Sequence, residues 1–93
     1  MDDALRRDIE VATRILKEAG ATEVYVFGSA GSGTRRADSD IDLAVAGLPP
    51  ERFFRAMAAA ADAVSCELDL VDLDQDTAFT RYLKQKGVLQ RVA

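Results

Sequence analysis

The sequence predicts an α/β (α+β) domain in which helices pack on a single mixed β-sheet. Short runs of β-branched and aromatic residues alternate with longer runs of helical periodicity. The resulting order is helix, strand, loop, strand, helix, strand, helix, strand, which is typical of a layered domain. The length of 93 residues is enough for one domain and too short for two, so we expect residues 1–93 to form one unit.

The N-terminal half is predicted to contain one helix and two strands. Residues 2–19 have the pattern of an amphipathic helix that ends at Gly20. Its apolar positions recur every three or four residues and are Leu5, Ile9, Ala12, Leu16 and Ala19. Residues 23–27 predict a strand because they are rich in β-branched and aromatic side chains. A loop rich in glycine and serine follows over residues 28–33, and residues 39–46 have the alternation of a half-buried strand.

The C-terminal half is predicted to contain two helices and two strands. A helix should run from Pro50 to about Val64, and its expected buried face is Phe53 or Phe54, Met57, Ala61 and Val64. Residues 66–73 predict a strand. A helix over residues 76–86 should end at Gly87, and its expected buried face is Ala78 or Phe79, Tyr82 and Leu83. Residues 88–92 predict a short closing strand.

The composition excludes several kinds of site and partner. The sequence contains no histidine, which removes Ser-His-Asp catalysis and histidine metal sites. The single cysteine, Cys66, cannot form an internal disulfide and is expected to pack in the core. The net charge of -4 argues against a free-standing DNA or RNA binder, which would normally be basic. No apolar run could span a membrane and no signal-peptide pattern is present, so we expect the cytoplasm.

Two aspartates occupy alternate positions of the second predicted strand. Asp40 and Asp42 should project from one face, with side chains about 6–7 Å apart. Carboxylates held that close repel each other unless a cation lies between them, and oxygen ligands select a hard cation such as magnesium. The alternative is a solvated strand face without a metal, as in a plain structural domain.

A third aspartate lies on the third predicted strand. If that strand neighbours the strand of Asp40, Asp69 can face the same metals. Three carboxylates around two magnesium ions form an arrangement suited to in-line phosphoryl or nucleotidyl transfer. Glu67 would share the face of Asp69, whereas Asp72 has the opposite parity and is expected to be a strand-end or turn residue.

The segment between the first two strands supplies candidate phosphate ligands. If a helix begins after Gly28 and Ser29, its free N–H groups and the Ser29 hydroxyl would bind an anion. An ordinary loop with Ser29 as a helix N-cap is the alternative. Arg35 and Arg36 are either clamps for a triphosphate or solvated loop charges. The candidate nucleotide-binding residues are Gly28, Ser29, Arg35, Arg36 and Ser39.

Together these features resemble a known family. Gly28-Ser29 is followed, after ten residues, by Asp40-Ile41-Asp42 and later by Asp69. The run VFGSAGSGTRRADSDIDLAVA over residues 26–46 resembles the signature of the DNA polymerase beta-like nucleotidyltransferase superfamily, especially its minimal nucleotidyltransferase branch. The run DLVDL over residues 69–73 resembles the strand that carries that family's third carboxylate.

The resemblance implies a nucleotidyltransferase fold and specific roles. Asp40 and Asp42 would hold two magnesium ions, and Asp69 would complete the site and help deprotonate the attacking hydroxyl. Gly28 and Ser29 would cradle the triphosphate of ATP or a similar nucleotide. The hydroxyl would attack the α-phosphorus and release pyrophosphate.

The resemblance also implies a protein partner. Minimal members are often encoded as antitoxins beside a helical HEPN-type toxin, and some add AMP to a tyrosine of the toxin. Loops of this family usually carry arginines two and four residues after the glycine, where this chain has Ala30 and Ser32. That departure leaves a second hypothesis, an antitoxin that binds its partner without catalysis. The chain has no second domain for an acceptor, so a partner or a homo-oligomer is expected to supply that surface.

Overall fold

The computed structural model describes residues 3–27 and 41–93. Within these residues three helices and four strands form the predicted α+β architecture. In chain order they are α1 (Asp3–Glu18), β1 (Glu23–Phe27), β2 (Ile41–Ala46), α2 (Pro50–Ala63), β3 (Leu68–Asp72), α3 (Ala78–Lys86) and β4 (Gln90–Arg91). None of these helices is long and apolar enough to cross a membrane.

The four strands form one mixed sheet in the order β3-β2-β1-β4. Strand β1 pairs antiparallel with both β2 and β4, whereas β2 and β3 are parallel. Parallel neighbours cannot be joined by a tight turn, and α2 supplies the crossover between β2 and β3. The predicted single mixed sheet is therefore confirmed.

Helices α1 and α2 cover one face of the sheet and enclose the larger core. The predicted buried face of α1 is confirmed, with Ala19 only partly buried at its end. The residues of this core that are no more than 2% exposed are Ala12, Leu16, Val24, Val26, Ile41, Leu43, Val45, Leu48 and Ala60. Because β2 contributes its alternate residues Ile41, Leu43 and Val45 to this core, its other side chains face away from α1 and α2.

The buried face of α2 differs from the prediction. Ala56 and Ala60 are buried, whereas Met57 is only half-buried and Phe54 is 73% exposed. Small side chains let α2 approach α1 closely, so the alanines take the contact that we assigned to larger residues. Phe53 and Val64 do pack against the core, as predicted.

A buried carboxylate ties α1 to the segment that follows α2. Asp8 Oδ2 accepts hydrogen bonds from the Ser65 backbone N–H at 3.2 Å and from the Ser65 hydroxyl at 2.6 Å. Cys66 is half-buried beside this contact and packs against the core, in line with the role expected for it. Asp8 was not predicted to be buried, although it lies three residues after Leu5 and four before Ala12 on the apolar face of α1.

Helix α3 covers part of the opposite face of the sheet. Leu83 packs there with Phe27, Ala44 and Leu73. Of the predicted inward residues only Leu83 is buried, since Phe79 and Tyr82 are 49% and 50% exposed.

The hydrogen bonds at the start of α3 explain why its buried face differs from the predicted one. Thr77 is the N-cap residue, and its side chain and that of Thr80 form a reciprocal capping box. The Thr80 hydroxyl also donates to the Gln75 carbonyl at 2.7 Å, which holds Thr80 inward with Leu83. Helix α3 ends, as predicted, at Gly87 in the left-handed conformation.

Candidate active site

One row of aligned residues crosses three strands at one end of the sheet. Phe27, the last residue of β1, is aligned with Asp42 of β2, and Asp42 is aligned with Asp69 of β3. Neighbouring strands lie about 4.8 Å apart, and directly aligned residues point to the same face. We call these three residues the aspartate row. The two carboxylates are thus side by side on one face.

The hydrophobic alternation of both strands determines which face this is. Ile41 and Leu43, on either side of Asp42, are fully buried under the two longer helices. Leu68 and Leu70, on either side of Asp69, pack against the same core. Asp42 and Asp69 therefore lie on the side of the sheet that carries α3, where Asp42 is half-buried and Asp69 is exposed. The adjacency that the metal-site prediction required is present for this pair.

The other predicted site residues divide into two groups. Those that lie outside the described residues are Gly28, Ser29, Arg35, Arg36, Ser39 and Asp40. The described residues contain no cluster of three or more acidic or cysteine side chains suited to a metal ion. A complete three-carboxylate site therefore stays a prediction that includes Asp40. Asp72 is a strand-end residue, as expected, and its carboxylate accepts a hydrogen bond from the Asp74 N–H.

Aromatic residues adjoin the carboxylates. Phe27 is buried, and its ring meets that of Phe79 edge-on, with centroids 6.0 Å apart and planes inclined by 65°. Sequence reasoning assigned no site role to either ring. The strand pairing that brings Phe27 beside Asp42 is a long-range contact, and no local pattern signals it.

A tyrosine lies one row behind Phe27 on the same face. Tyr25 is aligned with Ala44 and with Arg91, and its hydroxyl donates a hydrogen bond to Glu23. That bond raises the pKa of the Tyr25 phenol above its usual 10.0 because the carboxylate favours the protonated hydroxyl. Burial and the negative charge of Glu23 act in the same direction, while Arg91 partly opposes them.

Comparison with known families identifies the fold. A family model described as "Polymerase beta, Nucleotidyltransferase" matches residues 10–89. The chain belongs to this nucleotidyltransferase family. The sequence of this chain matches no curated protein.

Several solved structures share the fold of this nucleotidyltransferase. One, assigned as a minimal nucleotidyltransferase, is 27% identical with a TM-score of 0.74, over 100% of this chain and 96% of that chain. A toxin–antitoxin structure with AMP-PNP is 24% identical with a TM-score of 0.70, over 91% and 69% of the two chains. A complex of a tri-AMPylated Shewanella oneidensis HEPN toxin with an MNT antitoxin is 21% identical with a TM-score of 0.67, over 94% of this chain and 70% of that chain.

The donor set of the nucleotidyltransferase fits a hard divalent cation. Asp42 and Asp69 offer only oxygen atoms, and their backbones are one strand spacing apart. Magnesium prefers one or two carboxylates and fills its remaining positions with water and phosphate oxygens. Asp69 is exposed, so a cation held there would be open to solvent on that side.

Proposed function

We propose that this chain is a magnesium-dependent nucleotidyltransferase that transfers a nucleoside monophosphate, AMP from ATP, to a hydroxyl of a HEPN-type toxin and thereby acts as its antitoxin. The observation that carries the proposal is the alignment of Asp42 with Asp69 on one face of two parallel strands. Family membership supports it, because the matched family is one of nucleotidyltransferases.

Asp42 and Asp69 would hold magnesium together with Asp40, which stands two residues before Asp42 in the sequence. Bound magnesium, two ions in the full site, supplies Lewis-acid stabilisation of the charge that develops on the phosphate oxygens. The carboxylates would hold the positive charge of the cation at the end of the sheet. The buried Ile41 and Leu43 hold the β2 backbone in place. Such preorganisation is a main source of electrostatic catalysis.

Asp69 is the residue best placed to receive the proton of the acceptor. It is exposed and belongs to an edge strand, so a hydroxyl from a second protein can reach it. As the hydroxyl oxygen forms a bond to the α-phosphorus, the bond between that phosphorus and the bridging oxygen to the β-phosphate breaks. Pyrophosphate leaves with the electron pair, and the hydroxyl proton passes to Asp69 or through it to water.

The loop residues complete the proposal. Gly28 and Ser29 would bind the triphosphate through backbone N–H groups and a hydroxyl. Arg35, Arg36 and Ser39 would add further donors to the same phosphates. These assignments rest on the sequence pattern.

The partner is proposed from the structural neighbours. The toxin–antitoxin structures that share this fold include one with AMP-PNP and one with an AMPylated HEPN toxin. An acidic chain that acts on another protein fits the net charge of -4, which does not favour a nucleic acid as acceptor. A HEPN-type toxin is therefore the acceptor we propose.

Intact-mass analysis of the acceptor tests the proposal. The chain is co-expressed with a candidate HEPN-type partner protein, and the purified partner is weighed. We expect a mass increase of one or more AMP groups, which is lost in Asp42→Asn and in Asp69→Asn. Asp62→Asn, which changes an exposed aspartate of α2, is the matched control and should keep the modification. Full modification by both site variants would refute the assignment.

A catalytically weak antitoxin is the second candidate. Ala30 and Ser32 favour it, since two positive charges expected near the phosphates are absent. In that case the chain forms a stable complex with its partner and protects the cell, but the partner keeps its unmodified mass. The site variants would then neutralise the toxin as well as the wild type does.

A further inference from the structure

The feature that the proposed function leaves unexplained is an exposed aromatic ring beside the carboxylates. Phe79 lies in the first turn of α3 and is 49% exposed. The exposed large apolar side chains among residues 3–27 and 41–93 are Phe54, Phe79, Tyr82, Val88 and Val92. Of these, Phe79 contacts a residue of the aspartate row, because its ring packs edge-on against Phe27.

The ring is fixed in position from two sides. Phe27 is 8% exposed, so the surface that supports Phe79 belongs to the core. The capping box of Thr77 and Thr80 fixes the first turn of α3. One turn after Phe79, Leu83 is buried against the sheet, and the Lys84 ammonium donates to the Leu73 carbonyl at 2.9 Å. Phe79 is thus an exposed ring on an anchored helix.

The Phe79 ring lies within reach of a nucleotide held at the carboxylates. The Phe79 centroid is 6.0 Å from that of Phe27, and Phe27 is aligned with Asp42. Aligned antiparallel residues have Cα atoms about 5 Å apart, so with the length of the Phe27 side chain the ring lies no more than about 15 Å from the Asp42 backbone. A nucleotide whose phosphates are held at the carboxylates extends over this distance through its ribose and base.

We propose that Phe79 is a base-stacking residue, on which the nucleobase of the bound nucleotide lies. This inference rests on the proposed function, because it takes the phosphates to be at Asp42 and Asp69. The edge-on contact with Phe27 leaves a face of the Phe79 ring available, and a base stacks on such a face without a hydrogen-bonding requirement. Phe79 therefore contributes affinity for a nucleotide that an inorganic triphosphate does not gain.

Calorimetric titration of the 93-residue chain with magnesium and two probes tests this role. AMP-PNP carries a base, and inorganic tripolyphosphate does not. Phe79→Ala should weaken AMP-PNP binding by roughly 10-fold, the loss typical of one base–aromatic stack, and leave tripolyphosphate binding unchanged. Phe79→Trp should keep the wild-type affinity for AMP-PNP.

Phe54→Ala is the matched control. Phe54 is also exposed and also packs edge-on against a more buried phenylalanine, Phe53, at 5.5 Å, but it lies on α2 and its ring packs on Phe53, whereas that of Phe79 packs on Phe27 of the aspartate row. The Phe54→Ala variant should bind both probes as the wild type does. Phe79→Leu keeps an apolar contact with Phe27 and removes the aromatic face, so it should reproduce the selective loss even if the alanine variant unfolds.

The outcomes separate this inference from the proposed function. If the wild type binds AMP-PNP and Phe79→Leu binds it equally well, the stacking role is wrong while the nucleotide site stands. Equal losses for both probes would also overturn it, since they would mean a structural defect. If transfer to the partner falls while AMP-PNP binding is unchanged, the ring contacts the acceptor and not the base. If the wild type binds neither probe, the proposed function fails together with this inference.

Discussion

Replacing Asp42 or Asp69 by asparagine should stabilise the ligand-free chain and abolish its response to magnesium. The two side chains are aligned on neighbouring strands, about 4.8 Å apart at the backbone. Two unit charges about 5 Å apart repel by about 0.8 kcal/mol in water and by about 3 kcal/mol at an effective dielectric constant of 20. Because Asp69 is exposed and Asp42 half-buried, we expect a value near the lower limit, about 1 kcal/mol.

A double-mutant cycle isolates this repulsion. Either single substitution removes the whole of it, so the double variant should gain no more than one single variant does from this pair. The expected coupling is about 1 kcal/mol, and the cycle cancels whatever else each substitution changes. In thermal unfolding a gain of about 1 kcal/mol corresponds to roughly 4–8 °C for a domain of this size. The gain should shrink in about 1 M salt, where the screening length falls to about 3 Å.

Magnesium should make the wild type more stable than its asparagine variants, which reverses the order expected without a ligand. A cation held by both carboxylates stabilises the folded wild type by about 1.4 kcal/mol when its concentration is about ten times its dissociation constant. The asparagine variants should show little of this increase, and Asp62→Asn should behave as the wild type does. Zero coupling in the cycle, or an equal magnesium response in all variants, would refute the view that the two carboxylates share one cation site.

Two further predictions concern the backbone and the tyrosine. Gly47→Ala should destabilise the chain by several kcal/mol in chemical denaturation, because Gly47 has φ +79° and an added Cβ would clash with Thr22. Gly87 has φ +66° and open space around it, so Gly87→Ala should destabilise the chain by only about 1 kcal/mol. Ultraviolet titration of a variant without the other tyrosine should show Tyr25 ionising above pH 10.0, and Glu23→Gln should lower that pKa. Since the pKa of Tyr25 is raised in the folded state, the stabilisation from its hydrogen bond to Glu23 is complete at pH values below the ordinary pKa. That stabilisation is lost as pH rises through the raised pKa. Equal costs for the two alanines, or an unchanged tyrosine titration, would contradict these expectations.

The elements could be predicted from the sequence because their signals are local. The strand predicted at residues 23–27 has those bounds in the structure, since its β-branched and aromatic run is interrupted on the N-terminal side by Gly20. The inward faces of α2 and α3 were harder to predict. Burial of Ala60 depends on how closely α1 approaches, and burial of Thr80 depends on a capping box, so in both cases tertiary contacts overrode hydrophobicity.

The site could be predicted only in part, because the sequence does not show which strands pair or in which register. Alternation in the sequence showed that Asp42 and Asp69 each point away from the leucines and isoleucines beside them. It did not show that their strands are neighbours, and a shift of one residue in pairing would have put the carboxylates on opposite faces. The burial of Ile41 and Leu43 on one strand and of Leu68 and Leu70 on the other favours the observed register. Phe27 and Phe79 were missed because their contact depends on that register and on the placement of α3.

The two faces of the sheet contribute differently to stability and to binding. The face under α1 and α2 holds most of the buried apolar side chains, whereas the face under α3 has a smaller core of Phe27, Ala44, Leu73 and Leu83. The carboxylates lie on the second face, where a repulsion of about 1 kcal/mol weakens a domain that has only about 5–15 kcal/mol of stability. If a cation and a nucleotide bind there as proposed, they offset this cost, so the ligand-free chain should be less stable than its asparagine variants, and the loaded chain more stable. That inversion requires the strand register and cation binding at the two carboxylates, and it does not depend on which acceptor the chain modifies.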